Sequence, residues 1–209
     1  MEKIKDENSK QRILDAATCL FAQKGYEGTS IRQICNTARA NICMISYYWG
    51  GKKELYNGII DDLILRQTQY AKTFIDFDKK IETMNKQEQV SLLMKIIDKF
   101  IEFFYSGNIS KDLIIFLLKA QQTECFIEKS PAITYLRNLI AAIFDKDVND
   151  REIIFKTVFI ISQVNSPRIL PAFSLNLLGQ DDFIQEDINI IKENVKFYIN
   201  ALLKEANIV

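Results

Sequence analysis

Histidine is absent from all 209 residues, so no imidazole can act as general base, partner to a nucleophile or metal ligand. Ser/His/Asp and Cys/His catalysis and the common zinc sites are thereby excluded. The four cysteines, Cys19, Cys35, Cys43 and Cys125, form no C-x-x-C pair. Neither a cofactor, a metal nor an enzymatic activity is expected. The stretch with chemical character is short, polar and aromatic: Asn41 to Lys52, NICMISYYWGGK. Its Gly50-Gly51-Lys52 lacks the earlier glycine of a phosphate-binding loop and reads as a helix stop followed by a cation. A helix bearing such side chains suits a nucleic-acid duplex, because the major groove of B-DNA is about 12 Å wide and admits one helix against the base edges. The outward residues would be Ile42, Cys43, Met44, Ser46 and Tyr47. Phosphates would be met by Tyr48, by Lys52, and by the capped helix start at Ser30.

Such a helix needs bracing, and the preceding residues supply it. Ser9 is placed to cap a helix whose apolar residues Ile13, Ala16, Ala17, Leu20 and Phe21 follow the i, i+3, i+4, i+7, i+8 pattern, with Gly25 as its stop. Ser30 with Gln33 forms a capping box for a helix of about eight residues, whose stripe is Ile31, Ile34, Cys35 and Ala38. Asn41 is a good N-cap for the third helix, in which Ile42, Ile45 and Trp49 point one way while Cys43, Met44, Ser46 and Tyr47 point elsewhere. Two short helices joined by a tight turn, the second with one apolar and one polar face, meet the requirements of a helix-turn-helix.

Beyond Lys52 the pattern stays helical, over about 52–80, 87–105 and 111–127. Ser130-Pro131 opens a helix to about Phe144. Asn149 or Asp150 opens another to about Val164, where Pro167 and Pro171 forbid continuation. Short and long helices over 171–178 and 183–206 complete the chain. The run Ile153 to Val164 is β-branched enough for a strand, but its length and lack of a partner favour a buried helix. Apolar residues make up 48%, charged residues 26%, and Gly plus Pro only ten, which excludes a disordered chain and disfavours a turn-rich sandwich. An all-α fold follows. No apolar run approaches the roughly 18 to 20 residues that span a bilayer, and the charged opening MEKIKDENSK is no secretory signal, so a cytoplasmic location is expected.

Net charge is zero overall, yet it is polarised. Residues 1–53 hold nine Lys/Arg against five Asp/Glu, and residues 54–209 hold eighteen against twenty-two. Thirteen of the fourteen phenylalanines lie beyond residue 70. A basic head and an acidic, Phe-rich body suggest separate tasks.

The segment ILDAATCLFAQKGYEGTSIRQICNTARANICMISYYWGGKKELYNGII, residues 13–60, resembles the DNA-binding head of the TetR family of bacterial transcriptional regulators. The Ala-Ala pair with Phe21, Gly25-Tyr26, Thr29-Ser30, Ile34, Ala38, Trp49, and Lys52 with Leu55 fall in register. The resemblance implies an all-helical homodimer with a three-helix helix-turn-helix head, residues 1–53, and a helical body, residues 54–209, that binds a small-molecule effector and dimerises. It places Arg32 and Asn41 to Tyr48 at double-stranded DNA and Lys52 on a phosphate. Two departures stand out. Arg39 occupies a turn position where the family has glycine, so the turn either holds a left-handed non-glycine or relaxes. Ser46 replaces a tyrosine, and its phosphate role would pass to Tyr47 or Tyr48. The segment SPRILPAFSLNLLGQDDFIQEDINII resembles the effector domain of a subgroup typified by a regulator of antibiotic sensitivity.

The function expected is a ligand-responsive repressor: a homodimer on a palindromic operator, released by a small apolar effector. The alternative is a helical small-molecule-binding or scaffold dimer with lost or altered DNA binding. Effector contacts are expected from Phe74, Phe100, Phe104 and Phe116 and from the polar run containing Gln121, Gln122 and Glu124, which interrupts an apolar helix. Ile154, Val158 and Ile161, with the seam of Ile188, Ile191, Val195 and Tyr198, would build a four-helix bundle across a two-fold axis.

Overall fold

The computed structural model describes residues 2–105, 107, 109–120 and 129–208. It is 76% helical, and no strand occurs among the described residues. The helices are α1 (Glu2–Lys24), α2 (Ile31–Ala38), α3 (Cys43–Tyr48), α4 (Lys52–Ala71), α5 (Lys86–Tyr105), α6 (Lys111–Ala120), α7 (Pro131–Ile143), α8 (Arg151–Ile169), α9 (Pro171–Leu178) and α10 (Gln185–Glu205). The β-branched run from Ile153 lies within α8, as length argues. Among the described residues no helix is long and apolar enough to cross a membrane.

Local signals set most boundaries. Ser130 caps α7, accepting from the Ile133 N–H, with Pro131 in the first turn. Asp150 caps α8 by accepting from the Glu152 N–H at 2.7 Å. Three expectations need correction. Ser9 lies inside α1 rather than at its cap; nothing in the preceding EKIKDEN breaks a helix, and the Ser9 hydroxyl instead accepts from Arg12 at 3.2 Å. The helix from Lys52 stops at Ala71 instead of near 80. There the Thr73 hydroxyl donates to the Tyr70 carbonyl and the Asp78 N–H donates to the Asp76 side chain, so local polar side chains outcompete the helical ladder. α8 continues through Pro167 to Ile169, although proline removes a hydrogen bond. Its last turn is anchored by the next residue: the Arg168 guanidinium is buried, donates to the carbonyls of Phe104 and Ile109, and lies against the rings of Phe104 and Tyr105. A cation on the final carbonyls of α5 also complements that helix's dipole.

The chain divides into two compact units, Met1–Arg66 with Ser110–Phe126, and Gln67–Ile109 with Ile127–Val209. In the first, α1 packs against α2, α3 and α6. Its core includes Ile13, Ala17, Phe21, Ile34, Ile45, Leu55 and Phe116. Phe116 of α6 sits 4.7 Å from the Tyr56 ring and 6.3 Å from Phe21. The Lys119 ammonium donates to the Ala22 carbonyl at 2.5 Å, so α6 both packs on α1 and satisfies one of its orphan C-terminal acceptors.

In the second unit, α5, α7, α8 and α10 surround one apolar core containing Leu93, Ile97, Phe100, Leu136, Ile140, Ile160, Val195 and Ile199. An ion cluster ties α10 to α5. Glu102 accepts from Lys99 at 2.7 Å and from Lys192 at 3.0 Å, and these hydrogen bonds hold its carboxyl at about 2, well below the ordinary 4.5. A carboxylate with a depressed folded pKa stabilises the fold above its unfolded value and loses that contribution as pH falls toward the folded one. The Glu102 side chain is 39% exposed, so screening limits the effect to about 1 kcal/mol. Urea unfolding of wild type and Glu102→Gln should therefore give midpoints that differ above about pH 5 and converge as pH approaches about 2; a pH-independent difference would contradict the assignment.

Candidate nucleic-acid interface

The α2–turn–α3 unit is built from caps. The Gln33 N–H donates to the Ser30 hydroxyl at 3.2 Å, and the Ser30 N–H donates to the Gln33 side chain at 2.9 Å, completing the expected capping box. The buried Thr29 hydroxyl bonds the carbonyls of Leu20 and Gly25, which pins the entry to α2 onto the end of α1.

At the turn, Arg39 holds the left-handed conformation, φ 50° and ψ 47°. Its N–H donates to the Asn36 carbonyl at 3.2 Å and the Ala40 N–H to the Cys35 carbonyl at 2.9 Å. This is the paired bonding of a Schellman motif, made here by a non-glycine residue at a cost of about 1–2 kcal/mol. Arg12 of α1 contributes from outside: its Nε donates to the Ala38 carbonyl at 3.2 Å while its terminal nitrogens reach Asn8 and Ser9. The turn keeps its tight geometry without glycine because backbone and side-chain donors hold it on both sides.

Asn41 opens the third helix, its side-chain oxygen accepting the Cys43 N–H at 2.9 Å. Ile45 is fully buried, whereas Asn41, Ile42, Cys43, Ser46 and Tyr47 are exposed, and Met44 and Tyr48 are half-buried. Ile42, at the start of α3, shares the side of Ile45 by spacing yet is exposed, as the outward reading of this residue expects. Tyr47 is 77% exposed and packs edge-on against Tyr48, which packs edge-on against Trp49, at 5.1 and 5.4 Å. Ser30 and Arg32 are also exposed. Lys52 lies at the first turn of α4, where a cation opposes the helix dipole; its ammonium sits 4.1 Å over the Tyr26 ring, an attraction that offsets this.

Four contributors escape a reading of periodicity: Arg12, Tyr26, Lys10 and Gly58. Lys10 lies 5.8 Å over the Trp49 ring. Gly58, in mid-α4, is where Trp49 seats, since a Cβ there would fall 2.6 Å from the indole nitrogen. A glycine inside a helix costs about 1 kcal/mol relative to alanine, and that cost is the one sequence signal that a close approach occurs here.

Of the expected effector residues, Phe74 and Phe104 are half-buried and pack against the second-unit core that contains Phe100, whereas Phe116 is a core residue of the first unit. Gln121, Gln122 and Glu124 lie outside the described residues. The expected dimer residues also separate. Ile154 and Val158 are exposed, Ile161, Ile188 and Tyr198 half-buried, but Ile191 and Val195 are buried in their own chain's core, because the α10 seam faces α5 and α8. Exposed together with Ile154 and Val158 are Phe155 and Phe159 of α8, Phe173 and Leu177 of α9, and Ile190 and Phe197 of α10.

Residues 13–59 match the family described as "Bacterial regulatory proteins, tetR family". Over 87 residues the chain is 36% identical to the probable HTH-type transcriptional regulator YttP of Bacillus subtilis, covering 42% of this chain and 41% of that protein. It is 26% identical to the HTH-type transcriptional dual regulator CecR of Shigella flexneri across 96% of this chain and 94% of that one. A TetR transcription regulator from Haloarcula marismortui shares the fold, with a TM-score of 0.58 over 93% of this chain and 98% of that one at 16% identity.

Two substitutions test the geometry. Gly58→Ala should destabilise the protein by about 1–3 kcal/mol through overpacking against Trp49, and Arg39→Gly should stabilise it by about 0.5–1 kcal/mol, the relief of the left-handed cost less the entropy glycine adds to the unfolded chain. Both are read by chemical denaturation.

Proposed function

The chain belongs to the TetR family of transcriptional regulators with a DNA-binding helix-turn-helix, and on that premise we propose that it is a ligand-responsive repressor acting as a homodimer on a palindromic operator. The carrying observation is α3, a short helix with Ile45 locked inside and Ile42, Cys43, Ser46 and Tyr47 exposed. In this reading residues 1–53 bind DNA and residues 54–209 bind effector and dimerise, within the cytoplasm. Ile42, Cys43, Met44, Ser46 and Tyr47 meet base edges in the major groove, and Ser30, Arg32, Tyr48 and Lys52 meet phosphates. Tyr26 holds Lys52 at the start of α4, so the lysine reaches the backbone with little rotamer entropy to lose. The intact turn at Arg39 supports DNA binding over a scaffold that has lost it.

One short helix contacts too few base pairs to specify a site, whereas two helices reading half-sites about 34 Å apart do. The apolar face of α8, α9 and α10 supports a two-fold dimer, since exposed phenylalanines in this number mark an association surface on a soluble domain. α4 begins in the unit that carries α3 and ends in the unit that carries this face, which suits it to pass an effector-driven shift to the head. The effector acts only through its differential affinity for the two forms.

Fluorescence anisotropy on DNA from upstream of the gene tests the reading. Lys52→Ala should weaken binding on all sequences and reduce the salt slope by about one, whereas Ser46→Ala should change sequence preference. Phe155→Glu with Phe197→Glu should yield monomers by sedimentation and abolish tight operator binding. A Lys52→Ala protein with unchanged affinity and salt slope would overturn the phosphate assignment.

A further inference from the structure

Two adjoining open grooves in the second unit, of about 520 and 920 Å³, share Phe74, Asp76 and Lys95. They lie among the end of α4, the segment leading to α5, and the starts of α5 and α7. Both volumes fall in the range of sites for drug-sized ligands, about 300–1,000 Å³. Its floor is apolar, with Phe74, Met84 and Leu92, and Phe77 lines the larger groove while packing edge-on against Tyr135 at 5.3 Å.

The polar groups around this floor are unevenly satisfied. Tyr135 is 7% exposed and its hydroxyl is buried without a hydrogen-bond partner, as is the Thr68 hydroxyl. A buried polar group left unpaired costs about 1–3 kcal/mol, so Tyr135 stands ready for a partner. Burial, with the nearby charge of Asp76, pushes its phenol pKa up, which keeps it protonated and able to donate. The cations Lys72, Lys79 and Lys95 line the grooves, and the ion pairs of the described residues include none of them. Of the rim carboxylates Asp76, Asp78 and Glu88, two are engaged locally: Asp76 accepts the Asp78 N–H and Glu88 accepts the Asn85 N–H. The groove thus offers ammonium groups outside these ion pairs and a buried, unpartnered hydroxyl donor beside apolar side chains, while Asp76 and Glu88 are each held in place by one backbone N–H.

We propose that this groove binds an amphipathic carboxylate, its apolar body along Phe74, Phe77 and Leu92 and its head between the Tyr135 hydroxyl and the ammonium groups of Lys79 and Lys95. The inference rests on reading the second unit as the effector domain, and it adds a negatively charged head to the small apolar effector expected from the sequence. The preference is for charge as well as for an apolar body, because the lysines attract an anion and repel a cation of the same body.

Titration calorimetry on the full chain with dodecanoate, below its micellar concentration, tests it beside dodecyltrimethylammonium. Dodecanoate should bind at least tenfold more tightly than the cation. Lys79→Gln with Lys95→Gln, surface changes that leave the core intact, should weaken it at least fivefold, and Tyr135→Phe about threefold or more. Equal binding of the cation, or undiminished binding by the double lysine variant, overturns the proposal, as does failure of dodecanoate to bind. A gel shift separates this from the wider reading: dodecanoate that binds with these preferences yet leaves the protein–DNA complex intact upholds the groove and refutes effector-driven release.

Discussion

The left-handed turn at Arg39 is the constraint on which the head depends. Between the end of α2 and the start of α3 the chain has four residues, Arg39 to Ile42, in which to reverse, and it does so only by placing one of them at positive φ. Glycine would do this without steric cost, whereas arginine requires surrounding bonds to overdetermine the geometry. The Schellman pair supplies two of them and Arg12 a third from α1. Because Arg12 lies on the helix that also carries Lys10 under Trp49, both ends of α3 refer back to α1. The orientation of its exposed face is therefore a property of the three-helix packing rather than of α3, which at six residues is far too short to be stable alone.

The same economy appears where α6 joins this unit. Lys119 satisfies a carbonyl at the end of α1 while Phe116 fills the space between Phe21 and Tyr56, so a helix distant in sequence completes the core of the head. In the second unit Arg168 has the corresponding role. A buried guanidinium is costly unless its charge and donors are compensated, and here carbonyls at the end of α5 and just beyond it, with two ring faces, compensate it. Charged groups at helix ends, more than ion pairs on the surface, organise both units.

Much of the fold was legible in the residues. The Ser30–Gln33 box, Gly25 as a stop, Ser130-Pro131 and the glycine after Leu178 each act within a turn of where they stand, so rules of local bonding find them. Longer-range effects were not legible in that way. The stripe Ile188, Ile191, Val195, Tyr198 announces an apolar face, but periodicity does not say whether another copy or the same chain covers it, and here α5 and α8 bury its centre. Ser9 looked like a cap because a capping residue signals a start only if the preceding residues are poor helix formers, which EKIKDEN is not. Of the site, the exposed face of α3 could be placed from Ile45 outward, while the supports from Arg12, Tyr26 and Gly58 could not.

By itself the sequence determined that the chain is helical, that histidine chemistry is absent, and which short helix presents polar and aromatic side chains. These follow from composition, hydrogen-bonding caps and a 3.6-residue period, all of which operate within a few residues. Only the tertiary structure decided that a left-handed arginine survives at the turn, that Lys52 rests on Tyr26, that Phe116 belongs with the head, and which phenylalanines of α8 to α10 remain uncovered. Each of these depends on contacts between residues tens of positions apart, and such contacts are selected by the complementary shape and charge of whole helices rather than by any spacing along one of them.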